Sequence, residues 1–310
     1  MNCRVWLDLG GGLFLGLPML EKRSVDAQGA MMLVGFSLLL AFNQVVIKVA
    51  NGGFQPVYLA ALRSLGAVFV LAIWMRWRGR PMLPAPENLW PSVLLGALFS
   101  AEFIFLFLAL DLTTVSRVSI LFYSMPIWLA VAAHFLLPDE KLNGLRVAGL
   151  VLAIIGVAWA VFDRSELREP SFWGDILALS AAVTWAGIAL CVRMTGLARE
   201  RPETQLFVQL LVSLPLLFVA SLFFGDLMRD PMPIHWAGLA FQSVVVACFG
   251  FLFWFWLVSV YKASGVASFS FLSPVFSVAL GWLILNEQIS SSIIGGLILV
   301  AAGLMLINRK

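Results

Sequence analysis

"SFLSPVFSVALGWLILNEQI" runs from Ser270 to Ile289, and a rougher copy, "FYSMPIWLAVAAHFLLPDEKL", runs from Phe122 to Leu142. Each is an apolar run with a proline near its start and a glutamate just past its end. Pro126 and Pro274 stand 148 residues apart, Glu140 and Glu287 147. The offset holds along the chain. It is 147 for Gly149 with Gly296 and Gly156 with Gly303, 146 for Pro56 with Pro202 and Trp90 with Trp236, and 145 for Lys48 with Arg193. A small, ordered drift of this kind is what short loop insertions leave in a duplicated unit.

Of the 310 residues 61% are hydrophobic and 12% charged, about half the charge of a soluble domain. There is too little polar surface to cover a water-facing globule. Ten apolar stretches, near 30–49, 55–76, 90–110, 115–137, 144–162, 172–193, 204–224, 236–259, 265–285 and 292–308, are each long enough to cross a ~30 Å hydrocarbon core as a helix. The short alternating segments of a membrane β-barrel are absent. The expected fold is therefore an all-α integral membrane protein of ten spans, built as two five-helix repeats over 30–163 and 171–308. Residues 1–29 read as a leader, disordered or lying on the membrane surface, because "LGGGLFLGLPML" (Leu9–Leu20) is too short to span.

Five spans per repeat is an odd number, so the second copy must enter the membrane upside down. The charges agree: the corner "PDEKLNGLR" carries Lys141 and Arg146, while its partner "NEQISSSI" has no cation. With both termini on the cytoplasmic side of the cytoplasmic (inner) membrane, 14 of the 20 Lys and Arg face inward, five outward, and Arg63 lies within a span. Trp74, Trp77, Trp90, Trp173 and Trp236 fall at expected helix ends, as an aromatic belt does. Inverted repeats generate a pseudo-two-fold axis in the membrane plane, and transporters built this way place their substrate site near that axis at mid-depth. Three cysteines in no metal-ligand spacing and no enzyme motif leave no cofactor, metal or catalytic residue to expect. No loop is long enough to hold an ATPase domain. The expected partners are a small-molecule substrate, the lipid bilayer and, through the small-residue faces below, a second protomer in a homodimer; no nucleic acid is expected.

Together these features resemble the EamA-type branch of the drug/metabolite transporter superfamily over about residues 30–308. The resemblance rests on the doubled five-span unit, Lys48 ending the first span, "PVYLAALR" (Pro56–Arg63) opening the second, and the proline-to-glutamate spans followed by "GLVLAIIGV" and "GGLILVAAGL". It implies a secondary carrier, an exporter of small metabolites such as amino acids working by alternating access of the two repeats. An importer, a passive channel or an intramembrane enzyme on lipid-linked substrates are the alternatives. The Trp-Gly pair usual in the family's first span is absent here and has a partial counterpart in Trp185-Ala186.

Within this frame Arg63 is the clearest candidate for substrate binding or coupling. A charge so deep in a span costs about 2.5–3.5 kcal/mol on insertion scales, which argues for an internal or water-lined place. Glu102 is expected at a similar depth on the third span, and the two form either a binding or coupling site or an ion pair that fastens two helices. Gln209 is the counterpart of Arg63 in the second repeat. Pro126 and Pro274 are expected to kink their spans, freeing the carbonyls of Phe122 and Ser270, with Ser119 and Tyr123 beside the first kink and Phe271 beside the second. Lys48 either closes the outer mouth, meets a substrate carboxylate or snorkels. Asn43 is read as a ligand or as polar glue between helices, and Trp185 and Trp254 as stacking surfaces or packing. Glu140 and Glu287, at span ends, suit a hinge or cap. Gly149, Ala153 and Gly156, with Gly296, Val300 and Gly303, form small-residue faces suited to close helix packing within the chain or between protomers.

Overall fold

The computed structural model describes residues 23–137, 141–162, 171–262, 266, 269 and 271–308. Among them the secondary structure is helical apart from two isolated β-bridges, Arg23 with Tyr261 and Phe54 with Met228. The helices are α1 (Ala27–Asn51), α2 (Pro56–Trp77), α3 (Leu89–Leu112), α4 (Val115–Phe122), α5 (Met125–Leu136), α6 (Gly144–Phe162), α7 (Phe172–Met194) and α8 (Pro202–Ser221). Then come α9 (Pro233–Ala240), a π-helical stretch (Phe241–Gly250) and α10 (Phe251–Val260), which run on without a break, followed by α11 (Leu272–Leu285) and α12 (Ser291–Asn308).

Local chemistry sets the starts. The Asp26 side chain accepts the Gly29 N–H at 2.7 Å and caps α1, and that bond holds its carboxyl below the usual carboxylate range. Proline is the first residue of α2 and of α8, where its missing N–H costs nothing and its fixed φ suits a helix. Thr114 and Ser171 cap α4 and α7 with their hydroxyls.

Among the described residues eight helical stretches are long and apolar enough to cross a membrane, α4 with α5 counting as one and α9 through α10 as another; Leu272–Leu285 and Ser291–Ile307 are shorter apolar helices. Eight of the ten expected spans therefore have a full-length counterpart, and the last two correspond to the shorter helices. Polarity runs inside out. Leu65, Phe69, Ile73, Ile154 and Val219 are exposed, while Asn43, Arg63, Glu102 and Gln242 are buried. Water would reject such a surface and lipid would not. Trp77, Trp90, Trp173 and Trp236 are exposed at helix ends and Trp74 is half-buried.

Contacts between the halves come in exchanged pairs. The α-carbon of Gly149 sits so close to α12 that a Cβ there would meet the Gly303 carbonyl at 2.7 Å, and one on Gly156 would meet the Gly296 carbonyl at 2.8 Å. Since Gly149 corresponds to Gly296 and Gly156 to Gly303, each contact is the other with its partners swapped, the mark of a two-fold relation. The small-residue faces are therefore consumed within the chain, between α6 and α12, and lend no support to a homodimer.

The loops obey the same exchange. At the end of the bundle where α1 meets α2, here the far end, Gln55 N donates to Leu227 O at 3.1 Å and Arg229 N to Gly53 O at 2.9 Å, joining the α1–α2 turn to the α8–α9 loop. At the opposite end, Glu200 in the α7–α8 turn accepts from Ala85 N (2.9 Å) and Asn88 Nδ2 (2.7 Å) in the α2–α3 loop.

Two expectations need correction. Pro126 does not kink a continuous helix: the fourth span stops at Phe122, turns through Tyr123 and Ser124, and restarts at Met125 with Pro126 in its first turn. Ser124 makes the break by bonding back to Leu121 O (2.5 Å) and accepting from Ile127 N (2.8 Å). Pro274 likewise lies in the first turn of α11, where a proline is tolerated. The boundary of the leader also moves: residues 23–29 belong to the folded unit, since Arg23 N donates to Val260 O (3.0 Å), Lys262 N donates to Arg23 O (2.9 Å), and α1 already begins at Ala27. Residues 1–22, Glu140 and Ser270 lie outside the described residues.

Candidate functional site

Arg63 is 1% exposed. Its guanidinium carbon lies 4.2 Å from the centroid of the Phe103 ring on α3, a cation–π arrangement that is stronger for being desolvated. Its Nε and Nη1 have no hydrogen-bond partner among the described residues. Glu102, next to Phe103 and also buried, is near enough to act on Arg63 electrostatically, but no ion pair joins them within 4 Å among the described residues. The expected fastening of α2 to α3 by this pair is not what the structure shows.

Three helices bring unmet hydrogen-bonding groups to one depth. On α2, Gly66 and Ala67 share the face of Arg63 and touch the π-helical stretch: a Cβ on Gly66 would meet Ser243 at 2.8 Å, and Cys248 Sγ lies 3.4 Å from Ala67 O. On α1, Val46 and Ala50 lie against Gly238 of α9; Asn43 lies three residues before Val46 and seven before Ala50, on the same face. Asn43 is buried and its Oδ1 is unpartnered among the described residues. Gln242, four residues past Gly238 and adjacent to Ser243, is fully buried on a stretch that packs on both α1 and α2, and neither its Oε1 nor its Nε2 has a partner among the described residues. Measured from the far end, Arg63 is seven residues past Pro56, Asn43 eight before Asn51, and Gln242 nine past Pro233. At 1.5 Å per residue each is roughly 11–14 Å deep, close to halfway through a ~30 Å core. Buried polar groups are nearly always bonded, so these three side chains are exceptions among the described residues.

The remaining candidates divide. Ser119 Oγ bonds Val115 O and lies 3.1 Å from Gln44 Oε1, tying α4 to α1. Tyr123 faces the Ser273 hydroxyl on α11 and packs with Phe122 and Trp185, whose own rings stack at 4.8 Å and 17°. Trp254 stacks on Phe36 at 5.0 Å in an apolar cluster between α1 and α10. Gln209 is half-buried on α8, and Phe271 is half-buried at the start of α11. Lys48, in the last turn of α1, is committed to the backbone of α3. Its Nζ donates to the carbonyls of Leu110 (2.8 Å) and Thr113 (2.7 Å), supplying partners to the C-terminal end of α3 that the helix itself cannot.

Glu287 acts as the cap its position implied, across the repeats. Its carboxylate accepts from Val115 N (2.7 Å), Ser116 N (3.0 Å) and Ser116 Oγ (2.7 Å) at the N-terminus of α4, where a helix favours an anion. A second tie holds the same short helix. Arg117, one of the five cations expected to face outward, is 1% exposed and makes a bidentate pair with Asp175 of α7, Nε–Oδ1 3.1 Å and Nη2–Oδ2 2.6 Å. An open surface cleft of about 540 Å3 lies at the α11 corner beside Trp282 and Asn286, away from the mid-depth groups. Sequence reasoning missed Gln242 and the Arg117–Asp175 pair. A lone glutamine in the apolar run "AGLAFQSVVVACFG" was a readable signal for the first; nothing in spacing pointed to the second.

The class is thus a helical membrane protein of two related halves, with polar side chains buried inside the bundle. The model of the EamA-like transporter family matches twice, over residues 27–162 and 172–309, and the chain belongs to that family. Among curated proteins it is 26% identical over 280 residues to an uncharacterized transporter, YoaV, of Bacillus subtilis, covering 88% of this chain and 94% of that one. It is 27% identical over 273 residues to a "Probable amino-acid metabolite efflux pump" of Escherichia coli, covering 84% and 88%. A protein of the same name from Salmonella typhimurium is 27% identical over 286 residues, covering 87% and 93%. A crystal structure 20% identical in sequence superposes with a TM-score of 0.63 over 91% of this chain and 96% of that one, and so shares the fold. The chain is a multi-pass membrane protein of a transporter family.

Proposed function

We propose that the protein is a secondary exporter of small metabolites such as amino acids, working by alternating access in the cytoplasmic (inner) membrane with both termini cytoplasmic. In this reading all ten apolar stretches span, as two inverted five-helix repeats. The far end is then the outer side, and the Glu287 and Asp175 ties on α4 close it. The observation that carries the reading is Arg63, a buried mid-depth guanidinium with unpartnered N–H groups. A charge held that deep without a full set of bonds is costly and suits a substrate that supplies the missing partner. The export direction and the substrate class draw on the printed names of the two efflux-pump relatives.

The test compares amino acids released into the medium by cells overproducing the protein, cells lacking it, and cells producing Arg63→Ala at equal membrane abundance. Release is expected to rise at least tenfold over the deletion with the native protein and to fall to the deletion level with Arg63→Ala. Native release from Arg63→Ala overturns the reading.

A further inference from the structure

Gln242 stands where the two repeats cease to match. At the offset that pairs Trp90 with Trp236, Gly96 corresponds to Gln242 and Gly66 to Val212. In the first repeat Gly96 packs on Val212 of α8: a Cβ there would meet the Val212 Cβ at 2.5 Å. The exchanged contact in the second repeat should join Gln242 to Gly66. Instead Ser243 takes that place against Gly66. A one-residue slip is what a π-helical stretch introduces, since each of its turns holds an extra residue, and such turns cluster at functional sites. Here the slip gives Ser243 the packing role against Gly66 and leaves Gln242, on a stretch packed on both α1 and α2, buried without a partner among the described residues.

The unmet groups there are of two kinds. Arg63 Nε and Nη1 and Gln242 Nε2 are donors; Asn43 Oδ1 and Gln242 Oε1 are acceptors. A simple carboxylate would satisfy the donors and leave both acceptors buried and unbonded, at a cost of about 1–3 kcal/mol each. An amine alone would leave the guanidinium unanswered. A carboxylate and an ammonium on one small molecule meet both kinds together. We infer that Gln242, with Asn43, binds the ammonium group of a zwitterionic substrate whose carboxylate is held by Arg63, and so sets the preference for amino acids over the corresponding deaminated acids. The inference rests on the transport reading above and assigns the chemistry of that same site. Phe103, lying under the guanidinium, presents its ring alongside.

The test uses the full chain in detergent micelles, with the unfolding midpoint followed against each of the twenty common amino acids and against the deaminated acid of every one that raises it. At least one amino acid is expected to bind, with its deaminated acid at least tenfold weaker. Gln242→Met, which keeps the shape and removes the amide, is expected to bring the two within about threefold. Asn43→Ala, a second variant should Gln242→Met not fold, is expected to narrow the gap in the same direction. A role in packing alone would move the midpoint of the unliganded protein and leave the ratio as it was. Equal binding of amino and deaminated acids by the native protein, an undiminished gap in the variants, or no binding by any amino acid overturns the inference. Radiolabelled flux into proteoliposomes of the same protein separates the two readings. Flux without discrimination removes this assignment and leaves the transporter; discrimination in binding without flux does the reverse.

Discussion

Two arginines are buried to the same extent and answer opposite needs. Arg117 and Arg63 are both 1% exposed. Arg117 meets Asp175 through two parallel bonds and gives a third to Val161 O at 3.2 Å. Arg63 rests on an aromatic ring with Nε and Nη1 unbonded. Burial alone therefore does not distinguish a structural charge from a working one. Bond completeness separates these two: the Arg117 fork is filled by its own chain and has nothing left to offer a ligand, while Arg63, in the reading proposed above, keeps its bonds for one. Location agrees, since Arg117 lies near the far end, where α4, α6 and α7 are tied, and Arg63 lies between the repeats.

The largest expected effect follows from the closed side of this comparison. Arg117→Leu leaves the Asp175 carboxylate buried without its partner, and breaking a buried pair from one side costs about 3–5 kcal/mol. Thermal unfolding of the purified protein should show a large fall in midpoint, with the double variant Arg117→Leu/Asp175→Leu recovering much of it because no lone charge remains. A single variant as stable as the native protein would break the assignment of this pair to the fold.

The sequence made most of the architecture legible for a physical reason: hydropathy and a repeat offset are properties of chemistry summed over many residues, so the all-helical membrane character and the doubled unit survive local errors. Cap chemistry was legible for the same kind of reason, since Glu287 follows an apolar run and a carboxylate at a helix end seeks N–H groups. What stayed hidden depends on three-dimensional register. Arg117 reads only as an outward-facing cation because its partner lies 58 residues on. The bonds of Lys48 stayed hidden because the open carbonyls of α3 are not visible in its own helix. Pro126 reads as a kink because nothing local shows that Ser124 ends one helix and starts the next. Gln242 was overlooked because a single uncharged polar residue barely changes the hydropathy of a run, and the π-helical slip that turns it inward leaves no mark in composition. The buried Arg63 stood out because a lone charge in a span is the strongest signal hydropathy offers.

A smaller effect is expected from a third arginine of intermediate design. Arg229 Nη1 lies 2.8 Å from Asp111 Oδ1, with side chains 39% and 22% exposed, and it also reaches Asn51 O at 3.3 Å. Exposed pairs of this kind contribute about 0.2–1 kcal/mol, and salt screens them. Arg229→Ala should lower the unfolding midpoint slightly in low salt and by less in high salt. A loss as large as that of Arg117→Leu would show that the far-end loops, and not the buried pair, hold α4 in place.

The smallest change in stability is expected where the functional loss is greatest. Arg63→Met exchanges a buried charge for a flexible apolar chain of similar length. The contact with Phe103 is lost, about 2 kcal/mol when desolvated. The penalty of keeping an incompletely bonded ion out of water is several kcal/mol, and its removal offsets both that loss and the lost attraction to Glu102, which forms no ion pair with Arg63 within 4 Å among the described residues. The unliganded variant should unfold at or above the native temperature while amino-acid release falls to the level of cells lacking the protein. Stability withheld from the resting fold and recovered when a ligand completes the bonds is what a binding site requires. If Arg63→Met instead falls by the ~3–5 kcal/mol of a broken buried pair, Arg63 belongs with Arg117 as part of the scaffold, and the mid-depth site must be sought without it.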